Sequence, residues 1–132
     1  MISADVLARE VVSPGKSAWS EIVAKFGRSI LTPDRAIDRQ KLGDIVFRDP
    51  KKRRWLECII HPRVARLQAK LTRHAARKNR HAVVVYEVPL LFEAGVDRRV
   101  AQIVVVRAPR ATQIRRVKSR DGLRRNRARR RV

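Results

Sequence analysis

The stretch Val83–Glu93 reads Val-Val-Val-Tyr-Glu-Val-Pro-Leu-Leu-Phe-Glu, a short apolar run closed by Pro89. β-Branched residues over a few positions, ended by a proline that cannot donate to a ladder, predict a buried parallel strand over Ala82–Val88. In α/β proteins ligands gather at the carboxyl ends of such strands, which directs attention to Pro89 and the residues after it. A second β-rich run, Gln102–Val106, predicts another strand, and a helix from about Pro109 to Ser119 carries Ile114 and Val117.

Upstream of this stretch the apolar spacing is helical. Leu7, Ala8, Val11 and Val12 share one face, and Ser13-Pro14-Gly15 ends that helix. Ala18, Trp19, Ile22, Val23 and Phe26 line the next, with Gly27 as its C-terminal cap. After a loop at Thr32-Pro33-Asp34, Asp38 caps a helix bearing Leu42, Ile45 and Val46. Asp49-Pro50 is a second start signal, an acidic cap followed by proline in the first turn. That helix buries Trp55, Leu56, Ile59 and Ile60, and Pro62 is expected to open a further one with Val64, Leu67, Leu71 and Ala75 inward. The fold class is therefore α/β and helix-rich.

A chain of 132 residues can form one domain, burying roughly two-thirds of its unfolded surface. Its 33 Lys and Arg against 12 Asp and Glu give a net charge of +21, which favours anionic partners such as nucleotides, acidic lipids or nucleic acid. No run reaches the roughly 18 apolar residues of a membrane span, and no signal-peptide pattern opens the chain. The single Cys58 permits no internal disulfide and is expected to be buried and inert. A cytoplasmic protein without a membrane partner is the expectation. After Gly122 the sequence becomes arginine-rich and loses apolar periodicity, so residues 124–132 are expected to be a disordered basic tail.

Gly15-Lys16-Ser17 has the ending of the phosphate-binding pattern G-x-x-x-x-G-K-[ST], but Glu10 occupies the position of its first glycine. A helix precedes it instead of the required strand. Without a glycine-rich turn the backbone N–H groups cannot form an anion-binding nest, so the tripeptide is read as a decoy.

Taken singly, the remaining polar residues have ordinary explanations. Asp5 suits a helix start, His61-Pro62 a junction between helices, Asp38-Arg39 a cap and a surface arginine, and Glu93 a loop carboxylate. Their order is more specific. Asp5-Val-Leu-Ala-Arg-Glu-Val-Val, Phe26-Gly27, Ile37-Asp38-Arg39, Leu42-Gly43-Asp44-Ile45-Val46-Phe47, Trp55-Leu56-Glu57, His61-Pro62, Val88-Pro89-Leu90-Leu91-Phe92-Glu93, Val104-Val105-Val106 and Thr112-Gln113 through Arg116 to Arg120-Asp121 form one collinear series. The series, over about residues 2–123, closely resembles the dephospho-CoA kinases.

The resemblance implies a P-loop kinase-like three-layer fold that moves the γ-phosphate of ATP to the ribose 3′-hydroxyl of dephospho-CoA, with ATP and Mg²⁺ as cosubstrate and cofactor. It implies one domain over residues 1–123, in which about 13–80 form the helical substrate-binding insertion. Asp5 matches the family's acid near the acceptor hydroxyl, with Ser3 where a first Asp is usual. Arg39, His61, Pro89, Leu90 and Glu93 match substrate-binding positions, and Arg116 and Arg120 match the ATP-facing lid. Glu87 stands where many members have Asp. The family's glycine-rich loop and first strand have no counterpart within these residues, and the family's last helix and strand are replaced by arginines. A truncated form with an incomplete parallel sheet, inactive alone, is the expectation. The alternative is a non-catalytic basic protein that binds nucleic acid non-specifically through its arginine-rich tail.

Overall fold

The computed structural model describes residues 1–92 and 95–121. The chain forms two compact units, Met1–Leu91 and Phe92–Val132. In the first, β1 (Ile2–Ser3) runs into α1 (Ala4–Glu10), followed by α2 (Ser17–Phe26), a single 3₁₀ turn (Arg28–Ile30), α3 (Arg39–Arg48), α4 (Pro50–Lys78) and β2 (Tyr86–Glu87). The second unit holds a 3₁₀ turn at Asp97–Arg99 and α5 (Arg110–Asp121).

The core of the first unit lies between helices. Ala18 and Ile22 of α2, Ile30 of the 3₁₀ turn, Leu42 of α3 and Ile59 of α4 are buried together. Phe26, Ile45, Val46, Trp55, Leu56 and Ile60 pack around them, as the helical spacing predicts. Phe26 meets Trp55 edge-on, with ring centroids 5.5 Å apart. Aliphatic burial of this kind contributes about 1.5–3 kcal/mol per large side chain. Gly27 ends α2 at φ 82°, a conformation open to glycine and strained for other residues.

Both aspartate caps form as expected. Asp38 accepts the N–H groups of Gln40 and Lys41 at 3.0 and 3.1 Å, and Asp49 those of Lys51 and Lys52 at 2.9 and 3.2 Å. Each carboxylate satisfies donors that the first turn leaves without an intrahelical partner. Between α2 and α3 the loop closes on itself through an antiparallel bridge, Leu31 to Ile37. Trp19 secures it, its indole N–H donating to the Arg35 carbonyl at 2.9 Å.

The sheet is smaller than the apolar runs predict. Of Ala82–Val88 only Tyr86–Glu87 joins a ladder, pairing in parallel with β1 in the register Ile2 to Tyr86 and Ser3 to Glu87. The Ile2 N–H also donates to the Val85 carbonyl at 2.8 Å. Val83 and Val85 are exposed. Within the second unit, Gln102–Val106 joins no ladder among the described residues, and Val104, Val105 and Val106 are exposed. β-Propensity expresses a fit to a pleated, half-buried surface, and β1 offers only two residues of such a surface. Two residues pair only two.

Two further expectations are overturned. Pro62 does not open a helix; α4 runs unbroken from Pro50 to Lys78 with Pro62 inside it. The missing N–H leaves the Cys58 carbonyl without its helical donor. Cys58 and Pro62 are both exposed, so this carbonyl lies on the side of the helix that water reaches. The apolar face of α4 stays packed against α1, α2 and α3, which holds the helix together across the break. Cys58 itself is exposed and not buried, because it lies beside the inward positions Ile59 and Ile60 and not on their face. The segment 124–132 lies outside the described residues.

Candidate active site on the acceptor side

The parallel register determines what the small sheet brings together. Asp5 follows Ser3 by two residues and stands exposed in the first turn of α1. Pro89 follows Glu87 by two residues, and Pro89 and Leu90 form an exposed turn. Because β1 and β2 run the same way with Ser3 opposite Glu87, Asp5, Pro89 and Leu90 all leave the sheet at its carboxyl end. This is the end at which α/β sheets bind ligands.

The helical residues are held differently. Arg39 occupies the first position of α3, directly after the Asp38 cap, with its side chain exposed. His61 is exposed in the middle of α4, next to Pro62. α3 and α1 both pack against α4, so Arg39, His61 and Asp5 belong to mutually supporting elements of one unit. Glu93 lies outside the described residues. Arg116 is exposed on α5, and Arg120 follows one turn later in that helix, both in the second unit.

Arg63 was not singled out by sequence reading, yet it organises the region around His61-Pro62. Its guanidinium pairs with Glu21 of α2, and its Nε donates to Ser17 Oγ at 3.3 Å. Nη1 donates to the Ile59 carbonyl at 2.9 Å, one turn back along α4. The signal was present: Arg63 lies four residues from the buried Ile59, on the inward side of the helix, where a long cation needs a partner. Through it α2 and α4 are tied immediately beside Pro62.

Gly15-Lys16-Ser17 runs into the start of α2, of which Ser17 is the first residue, and the helix α1 precedes it where the phosphate-binding pattern needs a strand. Ser17 is engaged by Arg63. Among the described residues, no three His, Cys, Asp or Glu side chains come together in a way that could hold a metal ion.

The model of the dephospho-CoA kinase family matches residues 1–132, the whole chain. The chain belongs to the dephospho-CoA kinase family. A dephospho-CoA kinase of Geobacter metallireducens is 51% identical over 133 residues, covering 100% of this chain and 65% of its own. That of Geobacter sulfurreducens is 49% identical over 132 residues, covering 100% and 66%. This chain therefore spans just under two-thirds of the length of these curated relatives. Among solved structures, a protein of Thermus thermophilus aligns with TM-score 0.75 at 30% identity over 96% of this chain and 62% of that one. Dephospho-CoA kinase from Campylobacter jejuni aligns with TM-score 0.65 at 27% identity over 98% and 64%. The helix-rich α/β fold with its small parallel sheet is thus a P-loop kinase-like fold of this family. No helix among the described residues is long and apolar enough to cross a membrane.

Proposed function

We propose that these residues form the acceptor half of a dephospho-CoA kinase, a cytoplasmic enzyme that phosphorylates the ribose 3′-hydroxyl of dephospho-CoA with ATP. The observation that carries the reading is the exit of Asp5, Pro89 and Leu90 from one end of the parallel pair β1–β2. An exposed carboxylate there can accept a hydrogen bond from the 3′-hydroxyl, orient it and take its proton as the oxygen–phosphorus bond forms and the bond to the leaving ADP breaks. Pro89 and Leu90 line the acceptor pocket in this reading. Arg39 and His61 hold the anionic part of dephospho-CoA from the helical side. Arg116, exposed on α5, is the lid arginine of this reading, since arginines stabilise charge spreading over a transferring phosphoryl group.

Among the described residues no three His, Cys, Asp or Glu side chains gather into a preformed metal site; Asp5 would hold Mg²⁺ only together with substrate phosphates, the usual mode for this ion. Residues 1–132 contain no G-x-x-x-x-G-K-[ST] loop to hold the β- and γ-phosphates. In this reading the 132 residues alone bind the acceptor without turning it over.

Calorimetric titration with dephospho-CoA, paired with a coupled assay for CoA formation in ATP and Mg²⁺, tests both parts. The expected result is saturable binding, weakened by Arg39→Ala, with CoA formation at the no-enzyme level. Absence of binding would overturn the acceptor reading. CoA formation that disappears in Asp5→Asn would support Asp5 and overturn the inactivity of the isolated residues.

A further inference from the structure

The cations of the first unit are partnered unevenly. Near the starts of α3 and α4, Lys41 pairs with Asp38, Lys52 with Asp49 and Arg53 with Glu57. Beyond Glu57 the sequence contains no Asp or Glu until Glu87. Across that acid-free span α4 carries Arg66, Lys70, Arg73 and Arg77, all exposed. Among the described residues none of the four pairs with a carboxylate.

Their spacing of four, three and four residues aligns them. At 100° per residue the four fall within about 60° around the helix axis, and at 1.5 Å per residue they extend over about 16 Å. The opposite side of the helix carries Val64, Leu67 and Ala75, which are half-buried. The cationic stripe continues the line of Ile59 and Arg63, but past Pro62 the positions of the stripe are exposed instead of packed. Like charges three and four residues apart repel along a helix, and nothing in the sequence of this span offsets them.

We propose that the outer face of α4, through Arg66, Lys70, Arg73 and Arg77, is a docking surface for the phosphodiester backbone of nucleic acid. Charge complementarity selects this occupant. Each strand of a duplex presents one negative charge per about 3.4 Å of axis, closer together than the roughly 5 Å between successive cations of this row. An acidic membrane is the poorer fit, since interfacial helices insert an apolar face, and Val64, Leu67 and Ala75 of this half of α4 are half-buried in the protein. The contacts are to backbone and carry no sequence preference. The proposal rests on α4 alone and draws on neither Asp5, Pro89 and Leu90 nor the arginines of residues 124–132.

Fluorescence anisotropy of a labelled 20-base-pair DNA duplex and a single-stranded RNA of equal length, between 50 and 300 mM NaCl, tests the proposal on the full chain. Replacing Arg66, Lys70, Arg73 and Arg77 together by Gln is expected to reduce the slope of log affinity against log salt by about 3–4 on the duplex and about 3 on the single strand. A variant with equal charge loss, Arg124→Gln, Arg125→Gln, Arg127→Gln and Arg129→Gln, is expected to keep the α4-dependent slope. The pair Arg66→Gln and Lys70→Gln is expected to lose about half as much, a gentler change if the fourfold variant loses its helical circular dichroism. An unchanged slope in both α4 variants would overturn the proposal. So would wild-type protein that fails to bind either probe, or that binds phosphatidylglycerol vesicles but neither nucleic acid.

Discussion

Asp49 does two jobs with one carboxylate. It accepts the backbone N–H of Lys52, the largest influence on its acidity, and that of Lys51, while both lysine ammonium groups lie nearby. Together these favour the charged form and outweigh the opposing effect of desolvation, so its pKa lies below the ordinary aspartate value. The sign follows from linkage. A carboxyl group more acidic when folded adds stability above its unfolded pKa of about 4, and that stability is lost as pH falls through the folded pKa. Thermal midpoints measured from pH 6 down to pH 2.5 should therefore drop more steeply for the wild type than for Asp49→Ala. At pH 6 the variant should be the less stable of the two, and the curves should converge at the acid end. Asp34 is displaced the same way, chiefly by the Thr32 hydroxyl that donates to it at 2.5 Å, and it remains as an acid-sensitive group in the variant.

At the scale of elements, α4 is the least expected feature, because a proline usually ends a helix. Pro62 costs about 3 kcal/mol in an ordinary helix interior, yet the packing of Trp55, Leu56, Ile59 and Ile60 before it keeps the helix running. Pro62→Ala should restore the donor to the Cys58 carbonyl and raise unfolding stability by about 1–3 kcal/mol in urea titrations. If the hydrogen bond missing at Pro62 shapes the acceptor site, the same variant should bind dephospho-CoA more weakly; unchanged affinity would separate the role of His61 from that missing bond. What was legible in the sequence follows the range of the forces involved. The caps at Asp38 and Asp49, the apolar faces of α2 and α3 and the stop at Gly27 are decided within a few residues, and all were readable. The fate of Pro62 depends on three other helices packing against α4. The extent of β2 depends on how much strand β1 can offer, so valines alone overpredicted it. The site was legible as a series of motifs, but only the register of β1 against β2 put Asp5 and Pro89 at one end.

For the molecule as a whole, surplus positive charge is what the fold leaves least satisfied. With 33 cationic and 12 anionic side chains, most cations have no partner available. Of the four ion pairs among the described residues, three link residues three or four apart in sequence, and only Arg63–Glu21 joins two helices. Local, exposed pairs of that kind contribute about 0–1 kcal/mol each. Repulsion among the remaining cations extends over about a Debye length, which falls from about 10 Å at 0.1 M salt to about 3 Å at 1 M. Salt therefore screens far more repulsion than attraction in this chain. Its thermal midpoint should rise as NaCl increases from 20 mM to 500 mM, opposite to the fall expected for nucleic-acid affinity over the same range. The fourfold Gln variant of α4 should start from a higher midpoint at 20 mM and rise less, because part of the repulsion has already been removed. A midpoint that falls with salt would mean that the few ion pairs, Arg63–Glu21 foremost, outweigh the surplus charge. In that case the stripe on α4, which has no carboxylate partner among the described residues, would cost the fold nothing, and its exposure would no longer point to an anionic partner.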